Sequence, residues 1–139
     1  MKPQNLNIKR LAKRLKEEFP EIMFAFLFGS AMNGSIKPGA DVDLAIYSAE
    51  TKDKFDLTLR ILKIVESELS TDNLDLVYLN DASPLLAMEA LNGNILFIRK
   101  EAMDHYADFY SLTCRLYEDH IFWTKKQLEY RGYEVQWDN

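Results

Sequence analysis

The sequence predicts an α/β (α+β) fold: a small mixed sheet flanked by helices, with a long helix at the C-terminal end. Three patterns carry that expectation. Ile22 to Phe28 is an unbroken apolar run with three phenylalanines, the length and character of a central strand covered on both faces. Leu74 to Leu79 sets Asp75, Val77 and Leu79 against Leu76 and Tyr78, the period of two that belongs to a strand. Other stretches repeat their apolar residues at helical spacing. With 139 residues there is room for one core and not for two ordinary domains. No repeat, linker or low-complexity segment divides the chain, so one domain is expected over 1–139, with a central core over about 20–98.

In chain order, Ile8, Leu11, Ala12, Leu15 and Phe19 recur at helical spacing among basic residues, and Pro20 closes the segment, giving a helix over Asn5 to Phe19. The strand Ile22 to Phe28 ends on Gly29-Ser30, and a loop from Ala31 to Ala40 holds the turn residues Gly34, Pro38 and Gly39. A second apolar strand begins at Asp41 and runs to Tyr47. From Thr51 to Leu69 the residues Phe55, Leu59, Leu62, Val65 and Leu69 form a helical stripe that Leu57, Ile61 and Ile64 widen. The strand Leu74 to Leu79 follows the turn-prone Thr71-Asp72-Asn73. Ser83-Pro84 reads as an N-cap with a first-turn proline and Gly93 as a stop, so a short helix spans Pro84 to Asn92, and Ile95 to Ile98 is a last edge strand.

From Asp104 to Tyr130 the chain contains neither Gly nor Pro, and one long helix is expected. Tyr106, Phe109, Tyr110, Leu116, Tyr117 and Ile121 make one stripe; Leu112, Trp123 and Tyr130 fall on a different face, because their spacings are close to whole turns. Either the domain buries this wide helix entirely or the second face is left for a partner, aromatic residues being typical of interfaces. Beyond Gly132 the polar tail contains Tyr133, Val135 and Trp137, and Trp137 could anchor it to a partner.

The chemistry concentrates between Phe24 and Tyr47. Asp41 and Asp43 lie two positions apart at the head of a strand and therefore point the same way. Two ionised carboxylates side by side repel one another unless a cation compensates them, and a hard oxygen site of this kind suits Mg2+, which keeps waters and accepts phosphate oxygens. Gly29 allows close approach of an anion to the backbone, and Ser30 adds a hydroxyl donor. The plainer reading makes Gly-Ser an ordinary turn and the aspartates its caps. Lys37 could neutralise a triphosphate or be a solvated loop lysine. Asp75, an acid inside an apolar strand, is the candidate third carboxylate, with Asp72 and Asp81 as nearby competitors.

Gly29-Ser30, Gly34, and Asp41-x-Asp43-Leu44 after ten intervening residues resemble the signature of the DNA polymerase beta-like nucleotidyltransferase superfamily. The short chain and the order of its elements resemble the minimal nucleotidyltransferases, antitoxin partners of HEPN-domain toxins. Ala40 departs from the pattern, standing where that family usually has Ser. The resemblance implies a nucleotidyltransferase-like palm and transfer of AMP from ATP to a hydroxyl, most plausibly a tyrosine of a HEPN ribonuclease toxin. It further implies that Gly29 and Ser30 hold the β- and γ-phosphates, and that Asp41, Asp43 and Asp75 bind two Mg2+ ions, Asp75 also helping to deprotonate the nucleophile. Rival readings are an antitoxin that neutralises by binding alone and a nucleotidyltransferase of antibiotic type, which usually carries a further helical domain.

The overall charge narrows the partners. A net charge of −5 argues against broad binding to a nucleic-acid backbone. His105 and His120, fifteen residues apart on the expected long helix with no further nitrogen or sulfur ligand nearby, read as surface or interface histidines, and a Ser-His-Asp triad is not supported. The lone Cys114 allows no intramolecular disulfide, and the Met-Lys-Pro-Gln start carries no signal-peptide pattern, which points to the cytoplasm. No apolar stretch approaches the ~20 residues that span a bilayer. The expected partner is a HEPN-domain protein, docked through the C-terminal helix, with oligomerisation open.

Overall fold

The computed structural model describes residues 3–29 and 41–134, with side chains from residue 8 onward. Ser30, Gly34, Lys37, Ala40 and Trp137 therefore lie outside the described residues. The helices are α1 (Pro3–Glu18), α2 (Lys54–Leu69), α3 (Pro84–Leu91) and α4 (Met103–Tyr130); the strands are β1 (Ile22–Phe28), β2 (Val42–Ser48), β3 (Leu74–Tyr78) and β4 (Asn94–Ile98). A single turn of 3-10 helix, Lys100–Ala102, leads into α4.

The four strands form one mixed sheet in the order β3-β2-β1-β4. β1 runs antiparallel to both β2 and β4, while β2 and β3 are parallel. A parallel pair needs a crossover, and α2 supplies it. Strand alternation then divides the core in two. On one face Val42, Leu44 and Ile46 of β2 meet Leu11 and Leu15 of α1 and Leu57, Ile61 and Val65 of α2. On the other, Phe24, Phe26 and Phe28 of β1 and Ala45 of β2 meet Ala87, Ala90 and Leu91 of α3 and, from α4, Tyr106 and Phe109. β1 is central and covered on both sides, as its continuous apolar run predicts.

Two stripes differ from the sequence expectation. On α2 the buried residues are Leu57, Ile61, Ile64, Val65 and Leu69, whereas Phe55 and Leu59 are exposed. The residues that seemed only to widen the stripe are its centre, because 57, 61, 64 and 65 lie within one narrow arc and 55 and 59 fall almost opposite. On α4, Tyr106 and Phe109 pack on the sheet, but Tyr110 and Leu116 are exposed. Periodicity finds the apolar arc; it does not say how far along a helix the domain reaches.

Caps set the helix ends. Ser83 Oγ accepts from the Leu86 N–H at 3.3 Å, with Pro84 in the first turn as expected. Asp53 caps α2 by accepting from the Asp56 N–H at 2.9 Å. The chain leaves α3 through Gly93, where any Cβ would run into the Leu27 carbonyl and Phe28 Cβ.

Candidate functional site: a carboxylate cluster at the head of two parallel strands

The parallel pairing of β2 with β3 sets Asp43 directly beside Asp75. Their neighbours Val42, Leu44, Leu74 and Leu76 turn into the α1/α2 core, so both aspartates project from the opposite face, at its solvent-facing end. Asp75 tolerates its apolar strand because β3 is an edge strand, and the residue is exposed. Asp41 sits one residue before β2. The pairing continues past the strand ends through the Val42 N–H, which donates to the Asn73 carbonyl at 2.9 Å. Together Asp41, Asp43, Asp72, Asn73 and Asp75 line an open depression of about 500 Å3. Of the two competitors, Asp72 is thus at the site. Asp81 is elsewhere, paired with Lys54 Nζ at 2.8 Å.

Gly29 closes the site from β1. Phe28 is the cross-strand partner of Asp43, and Gly29, with φ +66, turns the chain at that point. A Cβ there would collide with the Asp43 carboxylate. Glycine is needed for both its left-handed backbone and its missing side chain. Ser30, the other half of the predicted phosphate-holding pair, is outside the described residues.

The carboxyl of Asp43 is held above its ordinary value, first by burial and then by the negative charges of Asp75, Glu89 and Asp41. Among the described residues every charge raising it is negative, so a cation would relieve the strain. Among the described residues no three His, Cys, Asp or Glu side chains converge into a ready metal cage. The donor set still fits Mg2+: it is all oxygen, adjacent and mutually repulsive, and that ion completes its shell with waters and phosphate oxygens. Glu89, on α3, was not singled out from the sequence, where nothing distinguishes it from other exposed helix acids.

At the opposite end of β2 lies a second cleft, of about 380 Å3, between Met23, Tyr47, Lys54, Tyr78, Asn80 and His105. Tyr47 stacks on Phe24 with ring centroids 4.9 Å apart, and its hydroxyl lies 2.9 Å from His105 Nε2. His105 therefore ties α4 to the sheet. Tyr106 and Phe109 pack beside it on the sheet, whereas beyond them α4 is far less engaged, Thr113 being its one buried residue. Leu112, Leu116, Phe122, Trp123 and Tyr130 are all exposed, Trp123 by 63% and Tyr130 by 94%.

A glycine turn at the end of one strand, with aspartates at the heads of the next two in a mixed sheet, is the arrangement the sequence resemblance to nucleotidyltransferases leads one to expect. The chain belongs to the polymerase beta nucleotidyltransferase family, whose model matches residues 9–102. Among curated proteins it is similar to the protein adenylyltransferase MntA of Shewanella oneidensis, 29% identical over 91 residues, a match covering 63% of this chain and 62% of that relative. The chain thus spans somewhat less than two thirds of the curated relative it matches. Its fold is that of a chain in the complex of tri-AMPylated Shewanella oneidensis HEPN toxin with MNT antitoxin, with a TM-score of 0.64 at 23% identity, covering 93% of this chain and 98% of that one. A toxin-antitoxin structure with AMP-PNP aligns at a TM-score of 0.66 and 23% identity, covering 91% of this chain and 98% of that one.

Proposed function

We propose that this chain is an antitoxin that transfers AMP from ATP to a hydroxyl, most simply a tyrosine, of a HEPN-type ribonuclease toxin and thereby neutralises it. The observation that carries the reading is the register pairing of Asp43 with Asp75 against a glycine that can bear no side chain. Kinship supports the rest: the curated relative is named a protein adenylyltransferase, and a chain of like fold belongs to a complex with a tri-AMPylated HEPN toxin.

In this mechanism Gly29, with Ser30, cradles the β- and γ-phosphates. Asp41, Asp43 and Asp75 would hold Mg2+, two ions in the proposed site. When bound, the metal would supply charge neutralisation at the triphosphate and at the acceptor oxygen. The acceptor oxygen bonds to the α-phosphorus, the bond from that phosphorus to the bridging oxygen breaks, and pyrophosphate leaves with the electron pair. Asp75, on the exposed edge strand, faces arriving acceptors and takes part in removing the hydroxyl proton. The exposed face of α4 docks the toxin. No described helix is long and apolar enough to cross a membrane, and the proposed site of action is the cytoplasm.

The test is transfer of label from α-labelled ATP with Mg2+ to the cognate toxin. The wild type should label it, and Asp41→Ala combined with Asp43→Ala should reduce labelling roughly a thousandfold or more, the scale of losing charge stabilisation at a reacting phosphorus, with the complex intact. Transfer that survives in the double variant would sink the mechanism. The exposed aromatics of α4 favour a second reading, neutralisation by binding alone. It requires the carboxylates to be dispensable for neutralisation.

A further inference from the structure

The C-terminal half of α4 has two apolar sides. At about 100° per residue, Leu112, Trp123 and Tyr130 fall together, whereas Ile121 lies about 200° round the helix from Trp123, on the opposite side. That second side carries Tyr110, Cys114, Tyr117, Ile121 and Leu128 at steps of four, three, four and seven residues, the repeat of a helix that packs lengthwise on another helix. Tyr110 is exposed and the other four are half-buried. At the centre is an open hollow of about 390 Å3 lined by Tyr117, Glu118, Ile121, Phe122 and Lys125. All five belong to α4, so among the described residues no other element walls it. The helix packs on the rest of the chain through Tyr106 and Phe109, well before this point.

The charges at the hollow select its occupant. Glu118 makes no ion pair among the described residues. Lys125 meets Glu129 only at 4.0 Å, with both side chains more than two-fifths exposed, the kind of pair that contributes little. Glu118 and Lys125 lie three and a half residues on either side of the midpoint between Ile121 and Phe122. A two-fold axis through that midpoint sets Glu118 of each copy level with Lys125 of the other, giving the two identical contacts that an isologous interface requires. Ile121 and Phe122 then meet their counterparts at the axis, where Phe122 exposes 52% of its surface in the single chain. A parallel pairing would set Glu118 against Glu118 and Lys125 against Lys125, and like charges reject it. The net charge of −5 is not concentrated here: Arg115 to Arg131 contains four basic and three acidic residues, so no like-charge field opposes the approach.

We propose that this side of α4 binds a second copy of the same chain, as an antiparallel helix pair centred between Ile121 and Phe122 and flanked by reciprocal ion pairs of Glu118 with Lys125. Leu112, Trp123 and Tyr130 stay on the opposite side of each helix, and the carboxylates, on β2 and β3, take no part in the contact. The dimer thus offers two docking faces and two carboxylate sites in one assembly. The inference stands independently of the adenylyl-transfer reading.

Analytical ultracentrifugation of the full chain, without toxin or nucleotide, measures the dimer dissociation constant. The variants are Ile121→Asp, Glu118→Lys, Lys125→Glu, and the last two combined. Wild type should dimerise, and Ile121→Asp should raise the constant roughly a hundredfold, since an unpaired carboxylate enters the axis twice. Each single reversal should raise it about tenfold by creating two like-charge contacts. The combined reversal should return it to within about threefold of wild type, because both ion pairs reform with their signs exchanged. Residues 118 and 125 are about 10 Å apart along one helix, too far to pair within a chain, so the rescue reports a contact between copies. Circular dichroism checks that each variant keeps its helix content; should Ile121→Asp lose it, the reversals still decide. A wild type that stays monomeric up to roughly 1 mM, where even a weak contact shows, would overturn the proposal. So would a dimer indifferent to a folded Ile121→Asp, or single reversals that the combined reversal does not rescue. A monomeric wild type whose affinity for the proposed toxin falls in Ile121→Asp assigns this side of α4 to the toxin instead.

Discussion

Gly29 and Asp43 constrain each other through one close approach. The backbone of Gly29 has φ +66, and a methyl group there would enter the space of the Asp43 carboxylate. Gly29→Ala is therefore expected to cost about 1–2 kcal/mol of stability through backbone strain and to displace Asp43, lowering AMP transfer far more than it lowers the melting temperature. Thermal melts beside transfer rates would separate the two effects. Asp43 yields a second expectation at this scale. Its folded value is raised, so the stability it contributes is present below the unfolded value of 3.8 and lost as pH rises through the folded one. At neutral pH the ionised group is thus carried at a cost, and Asp43→Asn should raise the melting temperature in EDTA. With Mg2+ and ATP the order should reverse, because only the wild type gains from the ligands. A variant less stable than wild type in EDTA would contradict this. Sequence spacing singles out Asp41, Asp43 and Asp75 as candidates because alternation and an acid among apolar residues are visible in one dimension, and the structure brings the three to one depression.

Elements here are joined by a few polar clamps, of which Arg99 is the most extensive. Following β4, its Nε donates to the Ile22 carbonyl at 2.6 Å, and one terminal nitrogen donates to the carbonyls of Lys16 at 2.6 Å and Phe19 at 2.8 Å. The end of α1 offers carbonyls with no helical partner, and a cation satisfies them while complementing the helix dipole. Arg99→Ala leaves them without that donor, and a loss of about 2 kcal/mol is expected, roughly 7 °C in melting temperature for a chain of this size. Chemical denaturation reads this directly; an unchanged midpoint would show that water replaces the guanidinium at no cost. The clamp was invisible in the sequence because it spans most of the chain. By contrast, β1, β4 and α3 were legible almost to the residue, as continuous apolar runs, Ser83-Pro84 and Gly93 are local signals. The stripe of α2 was rotated in the expectation because Phe55 and Leu59 sit at helical spacing with one another while facing solvent. Amphipathic patterns locate a helix better than they orient it.

At the scale of the whole molecule, the fold leaves α4 longer than the surface that supports it. Its 28 residues extend about 42 Å, yet its ring contacts with the sheet come from His105, Tyr106 and Phe109 alone among the described residues. Beyond Thr113 the helix displays Leu116, Phe122, Trp123 and Tyr130 to solvent, a larger apolar display than a chain of this size needs for its own core. Leu112, Trp123 and Tyr130 fall on one side of that helix and would bury together under a single partner surface. Leu112→Asp with Trp123→Asp should therefore leave the fold nearly untouched, within about 0.5 kcal/mol, since neither side chain is buried in the chain alone. The same pair should weaken the complex by at least about 2 kcal/mol, an aromatic anchor being among the strongest contributors to an interface. Titration of the proposed toxin partner onto the chain measures the second quantity and a denaturant curve the first. A loss of affinity with transfer to saturating toxin preserved would separate docking on α4 from chemistry at the carboxylates, whereas unchanged affinity would move the partner surface off this helix.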